Sequence, residues 1–168
     1  FELISSGNIA YELVRPINLY KLWYSKLIAQ RLSGALLRSI PILIVASLMP
    51  YEYKLMLPPS IMAFLLFVIT LFLGLILVVA ISMLIYISVF YTLSPTGSLL
   101  IFSVFGEFFA GLIIPIPLMP EALQRLMYAL PFRYSADLPF RIYSGNIGLS
   151  EGFKGLLIQL LWIILLIT

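Results

Sequence analysis

The sequence contains no cysteine and no histidine among its 168 residues. Without cysteine the chain has no disulfide framework and no thiolate nucleophile, and without either residue it lacks the ligands of the common zinc sites. The absence of histidine also removes the usual general base at neutral pH. We therefore predict that the chain holds no metal site.

Charged residues are also scarce. They make up 10% of the sequence, whereas about a quarter of the residues in a typical soluble domain are charged. Hydrophobic residues make up 62%, which indicates a protein that lies in a lipid bilayer. The net charge of +3 is too small to indicate a nucleic-acid partner.

The motifs of the common catalytic sites are absent as well. No glycine-rich loop leads into the Gly-Lys-Ser/Thr step that binds phosphate, so we do not expect the chain to hydrolyse ATP by itself. The sequence shows no paired-carboxylate site and no serine with a supporting base. We therefore predict a non-enzymatic protein that binds no cofactor directly.

Long apolar runs predict an all-α, polytopic membrane protein, because a span needs about 20 apolar residues. The runs predict four spans, at residues 32–51, 61–93, 98–114 and 153–168. Ser60 is expected to cap the second span. The last run is too short to cross a bilayer, and the chain opens without a methionine. We interpret the chain as an interior piece of a longer protein.

The first 31 residues are the most polar part and are predicted to form a segment separate from a transmembrane domain at residues 32–168. Pro16 is expected to open a helix over residues 17–31 with one apolar face. That face fits either a helix on the membrane surface or a helix that contacts a soluble partner.

Basic residues predict the orientation of the chain in the membrane. Five of the ten lie before or just inside the first span, namely Arg15, Lys21, Lys26, Arg31 and Arg38. By the positive-inside rule that end is cytoplasmic, which places residues 115–152 on the outer side.

Two charged residues lie within predicted spans. Arg38 either lines a pathway or extends its charge to the interface. Glu107 either faces a lumen, where it could partner a cation such as Arg38, or makes a structural hydrogen bond. Phe105 and Phe109 are further candidates for a pathway lining, and the alternative is that they face lipid or pack between helices.

The segment 106–132 is predicted to begin as an apolar helix, to break at Pro115 and Pro117, and to continue as an amphipathic helix at Glu121–Ala129. Irregular backbone at membrane depth leaves polar groups unpaired unless protein or a water-filled cavity covers them. A simple anchor needs no such break, so the segment indicates a transport function. Polar side chains predict that residues 133–151 are solvated.

Three stretches, taken in order, resemble bacterial type 2 ABC-transporter permeases. They are SGNIAYELVRPINLY at residues 6–20, GLIIPIPL at residues 111–118, and LPF at residues 130–132 followed by PFRIYSG at residues 139–145. They are similar to the family's cytoplasmic stretch, to the break near the end of its fifth helix, and to the segment before its last helix.

The resemblance implies a subunit with six spans, of which this chain holds the third to the start of the sixth. It implies export across the bacterial cytoplasmic (inner) membrane by a homo- or heterodimer of permeases. Two separate ATPase subunits would bind ATP and Mg²⁺. Residues implied to couple to the ATPase are Ser5, Gly7, Asn8, Glu12, Arg15 and Pro16. Residues implied to form an outer re-entrant gate are Gly111, Pro115, Pro117, Pro131 and Phe132.

Two other functions remain open on the sequence. One is a membrane scaffold or sensor subunit that transports nothing. The other is a proton-coupled secondary transporter that uses Glu107 as its proton site.

Overall fold

The computed structural model describes residues 14, 16–50, 57–92 and 95–167. Every regular element within these ranges is helical, so the predicted all-α class is confirmed. The described ranges contain six α-helices: α1 (Leu19–Leu48), α2 (Ile61–Thr92), α3 (Pro95–Phe109), α4 (Glu121–Ala129), α5 (Asp137–Tyr143) and α6 (Leu149–Ile167). Two 3-10 helices in the same ranges occupy Ile116–Leu118 and Pro131–Ser135.

Helix α1 is one continuous helix of 30 residues, about 45 Å long. It begins after Asn18, whose side chain accepts a hydrogen bond from the Lys21 amide at 3.1 Å. The sequence predicted a surface helix and a span that meet at residues 31 and 32, but the structure has no break there. The only proline inside the helix is Pro41.

The first half of α1 packs against α2. Trp23 and Leu27 form a buried cluster with Val79 and Met83 of α2. The apolar face that was predicted to meet lipid or a soluble partner therefore contacts a helix of the same chain. The second half of α1 is largely exposed within the described part of the chain.

Helix α2 is the central element of the fold. The Ser60 hydroxyl accepts a hydrogen bond from the Ala63 amide at 3.1 Å, which confirms the predicted cap. Further along, Leu66 and Leu77 share a buried core with residues of α5 and α6. The main hydrophobic core therefore lies between α2, α5 and α6.

Three of the described helices are long and apolar enough to cross a membrane: α1, α2 over Ile61–Ser88, and α6. Helix α3 has 15 residues and rises about 23 Å, which is shorter than a hydrocarbon core of about 30 Å. The third predicted span, 98–114, is thus shorter in the structure than expected. Helix α6 begins at Leu149, four residues before the predicted start.

Helix α3 ends at a glycine rather than at the predicted prolines. Gly111 has a φ of 75°, in the left-handed region. Its amide donates to the Phe108 carbonyl at 3.1 Å, and the Leu112 amide donates to the Glu107 carbonyl at 3.1 Å. These two bonds are the Schellman pattern that closes a helix. The prediction that Pro115 and Pro117 break the helix is corrected by this geometry.

Candidate functional site

Residues 116–143, which include α4, α5 and both 3-10 helices, are here called the short-helix segment. It approaches α2 and α6 closely at two glycines. A Cβ atom on Gly74 of α2 would lie 2.7 Å from the Ser135 carbonyl oxygen, and one on Gly155 of α6 would lie 2.5 Å from Leu138 Cδ1. Both distances are too short for a real Cβ, so the missing side chains allow this close approach.

A buried amide links the same three elements. Gln159 of α6 is 0% exposed. Its Nε2 donates to the Thr70 carbonyl of α2 at 2.9 Å and to the Tyr134 carbonyl of the short-helix segment at 2.8 Å. Its Oε1 is buried and has no hydrogen-bond partner among the described residues. One side chain of α6 thus connects α2 and α6 to the short-helix segment.

The contacts of α3 with the short-helix segment are apolar, and Phe108 and Phe109 pack against its buried residues Ile116, Met119 and Met127. The Phe109 ring stacks on Phe132 with 5.9 Å between centroids and on Phe105 with 6.0 Å. A Cβ on Gly106 would lie 3.9 Å from the Phe132 ring. Such ring contacts have no fixed hydrogen-bond geometry, so they restrain sliding less than the Gln159 bonds do.

Three charged side chains form a row along the short-helix segment. Asp137 Oδ2 lies 3.7 Å from Arg133 Nε and 4.0 Å from Arg141 Nη1. The side chains of Asp137 and Arg133 are 10% and 14% exposed, and that of Arg141 is 25% exposed. The prediction that this stretch is solvated is therefore wrong at Arg133 and Asp137, because the segment folds back against the core.

Burial determines the electrostatics of this row. It raises the pKa of the Asp137 carboxyl above its ordinary value, and Arg133 and Arg141 act in the opposite direction. Burial also raises the pKa of Tyr134, against the effect of Arg133. The Arg133 guanidinium lies 4.3 Å from the centre of the Tyr128 ring and 5.1 Å from that of Tyr134. Two arginines and one carboxyl leave the row positive in either protonation state of Asp137.

An open cleft of about 340 Å³ lies between the end of α3 and α5. The α3 side contributes Gly111, Leu112 and Pro115, and the α5 side contributes Asp137 and Arg141. The remaining lining residues are Ala110, Phe140, Tyr143, Ser144 and Asn146. The cleft thus joins two of the predicted gate residues to the charged row.

The other predicted gate residues lie outside the cleft lining. Pro117 is exposed in the first 3-10 helix, and Pro131 is buried at the start of the second. Phe132 is half-buried under Phe109. Their role in a gate stays a prediction.

The predicted pathway residues do not converge on one site. The side chains of Arg38, Glu107 and Phe105 are exposed, and Phe109 is half-buried. Within the described ranges no ion pair joins Glu107 to Arg38. Their placement on a pathway also stays a prediction.

Most of the predicted coupling residues, namely Ser5, Gly7, Asn8, Glu12 and Arg15, lie outside the described residues. Pro16 is described and exposed, two residues before the Asn18 cap of α1.

The sequence did not single out Gln159, although a signal for it was present. Gly152, Gly155, Gln159 and Ile163 are the buried residues of α6, and their spacing places them on one face of the helix. Two glycines beside an amide in an apolar helix indicate a face for close packing. Likewise, the spacing of four residues from Arg133 to Asp137 and from Asp137 to Arg141 predicts the charged row.

Comparison with protein families gives a match to the model described as "ABC-2 family transporter protein", and the match covers residues 1–168. None of the curated proteins and none of the solved structures compared with the chain gives a significant match. The three apolar helices of spanning length agree with a multi-pass membrane protein. The chain belongs to the ABC-2 family of transporter proteins, the membrane permeases of ABC transporters.

Proposed function

We propose that the chain works as half of a permease dimer that exports its cargo across the bacterial cytoplasmic membrane, driven by two separate ATPase subunits. Family membership supports the permease role. ATP and Mg²⁺ would bind to the partner ATPases, and the free energy of nucleotide binding would shift the permease from one conformation to the other. The second permease subunit is either a copy of this chain or a related chain.

The attachment of the short-helix segment carries the proposal for a gate. The segment is bound to α2 and α6 through glycine contacts and the two Gln159 hydrogen bonds. Its described contacts with α3 are apolar: Phe109 stacks on Phe132, and Phe108 and Phe109 pack against Ile116, Met119 and Met127, with no fixed hydrogen-bond geometry. A unit of α2, α6 and the short-helix segment could therefore keep its form while α3 shifts along it, and the cleft between α3 and α5 would change in width.

Helix α1 offers the route from the ATPase to this unit. In the proposal, the segment that ends at Pro16 docks on the ATPase and moves as a lever. Hydrogen bonds join the described parts of α1 and α2: the Tyr24 hydroxyl donates to the Ile76 carbonyl at 3.0 Å, and Arg31 Nη2 donates to Ser82 Oγ at 2.8 Å. A tilt of α1 would thus be transmitted to α2.

A cross-linking experiment tests the gate. Residues 1–168 contain no cysteine, so the introduced pair Gly106→Cys with Phe132→Cys would be the sole thiols within them. The full-length permease, reconstituted with its ATPases, is treated with a short, reducible thiol cross-linker, and ATP turnover is measured. We expect turnover to fall to that of the ATPases alone and to recover on reduction.

The matched control places both thiols on one helix. Glu121 and Arg125 form an exposed pair four residues apart on α4, so cross-linking E121C–R125C tethers no other element. We expect its turnover to be unchanged. Equal turnover in the two cross-linked proteins would contradict a gate between α3 and the short-helix segment.

Two single substitutions test the coupling segment. Glu12→Ala and Arg15→Ala should lower ATP turnover in the complex while the subunits still copurify. Unchanged turnover in both variants would exclude the assigned interface. Glu107→Gln separates this mechanism from proton-coupled transport. If Glu107 is a proton site, a pH gradient alone drives flux in sealed vesicles and Glu107→Gln abolishes that flux. In the proposed mechanism a pH gradient alone drives no flux in either protein.

A further inference from the structure

The cleft between α3 and α5 has two chemically different walls. Leu112 and Pro115 after α3, together with Phe140, give it an apolar side. Asp137 and Arg141 on α5 and the residues after it, Ser144 and Asn146, give it a polar side. Because Arg133 and Arg141 outnumber Asp137 in the charged row behind this side, the row has a net positive charge. A cleft with an apolar side and a polar side on a positive row matches an amphiphile with an anionic head.

Arg141 is the cation of the charged row that remains available to a ligand. Arg133 is 14% exposed and its guanidinium lies against the rings of Tyr128 and Tyr134. Arg141 is more exposed, lines the cleft, and lies 4.0 Å from the Asp137 carboxylate, beyond hydrogen-bond distance. Its planar fork of donors fits the oxygens of a phosphate.

The polar side of the cleft lies close to the first residues of α2 and α6. Gly145 follows α5 with a φ of 71°, and a Cβ there would lie 3.3 Å from Pro59, just before α2. Helix α6 begins at Leu149, four residues after Gly145. Since α2 and α6 are candidate spans, their starts mark an edge of the membrane, which is where lipid head groups lie.

We propose that this cleft binds an amphiphile whose head group carries a phosphate and a net negative charge. Arg141 holds the phosphate, the Ser144 and Asn146 side chains lie beside the head group, and the apolar chain rests on Leu112 and Pro115. Two sources share this chemistry, namely a phospholipid of the surrounding bilayer and an exported lipid. This proposal concerns ligand binding only, so its test does not depend on whether α3 moves against the short-helix segment.

Native mass spectrometry of the full-length subunit, titrated with phosphatidylglycerol, measures the site directly. Arg141→Gln removes the charge and keeps polar atoms, and we expect about tenfold weaker binding, the effect of one charge-assisted contact. Arg141→Lys retains the charge without the fork and should recover part of the affinity. The matched control is Arg125→Gln, which neutralises an exposed arginine outside the cleft and should leave binding unchanged.

The remaining arms distinguish the ligand. Phosphatidylcholine has the same phosphate but no net charge and should bind more weakly than phosphatidylglycerol, and free inorganic phosphate should compete poorly because it lacks the apolar chain. Movement of a fluorescent phosphatidylglycerol across vesicles that depends on ATP would identify an exported lipid, and binding without movement would identify a bilayer lipid. Equal losses in Arg125→Gln and Arg141→Gln, or equal binding of both lipids, would overturn the proposal.

Discussion

Replacing Gln159 by methionine tests how strongly the short-helix segment is held to the long helices. The substitution removes two hydrogen bonds, to the carbonyls of Thr70 and Tyr134, and keeps a side chain of similar size. Side-chain hydrogen bonds between membrane helices contribute about 0.6 kcal/mol on average and up to about 1.7. Two such bonds predict that the free energy of unfolding falls by about 1–3 kcal/mol. We expect the lower half of this range, because the substitution also removes the buried Oε1, which has no partner among the described residues.

Unfolding of the full-length subunit in mixed micelles, titrated with sodium dodecyl sulfate, measures the loss. Tryptophan fluorescence is a suitable signal because Trp162 lies on α6 beside the core. The control is Gln124→Met, since the Gln124 amide also donates to two carbonyls, those of Pro117 and Met119, but near solvent. We expect Gln124→Met to change stability little. The reasoning is refuted if Gln159→Met unfolds like the parent, or if the two variants lose the same amount.

Three further predictions concern close packing, a helix end and a buried carboxyl. Gly155→Ala places a Cβ 2.5 Å from Leu138 Cδ1 and should lower the free energy of unfolding, measured in the same titration, by about 1–3 kcal/mol. Its control is Gly97→Ala, which should not lower it, because a Cβ on Gly97 would have no described atom within 4 Å. Gly111→Ala should destabilise the subunit by about 1–2 kcal/mol because φ is 75° there, and a loss no larger than that of Gly97→Ala would contradict this. Burial raises the pKa of Asp137, so folding favours its protonated form. That contribution to stability is full below the pKa of the unfolded chain and is lost as pH rises through the folded pKa. The corresponding slope of stability against pH should vanish in Asp137→Asn, and a slope that persists would exclude Asp137 as its source.

Local chemistry predicted the features that depend on neighbouring residues. The all-α class followed from the apolar runs, and the predicted limits of α4, Glu121–Ala129, agree with the structure because prolines flank a short amphipathic stretch. The Ser60 cap was predicted for the same reason, since a cap acts within three residues. The end of α3 was predicted too far along the chain, because the prediction relied on Pro115 and Pro117. The helix is closed earlier by Gly111, which adopts the left-handed conformation.

The sequence by itself thus determined that the chain is a helical membrane protein, where most of its helices lie, and that its ordered motifs resemble ABC-2 permeases. Only the tertiary structure decided that α1 is one helix packed on α2, that the Asp137 Oδ2 atom is buried, and that Gln159 joins three elements. The Gln159 amide and its acceptor on α2 are 89 residues apart in the chain. No local pattern specifies such a partner, because the contact exists only once α2, α6 and the short-helix segment have packed together.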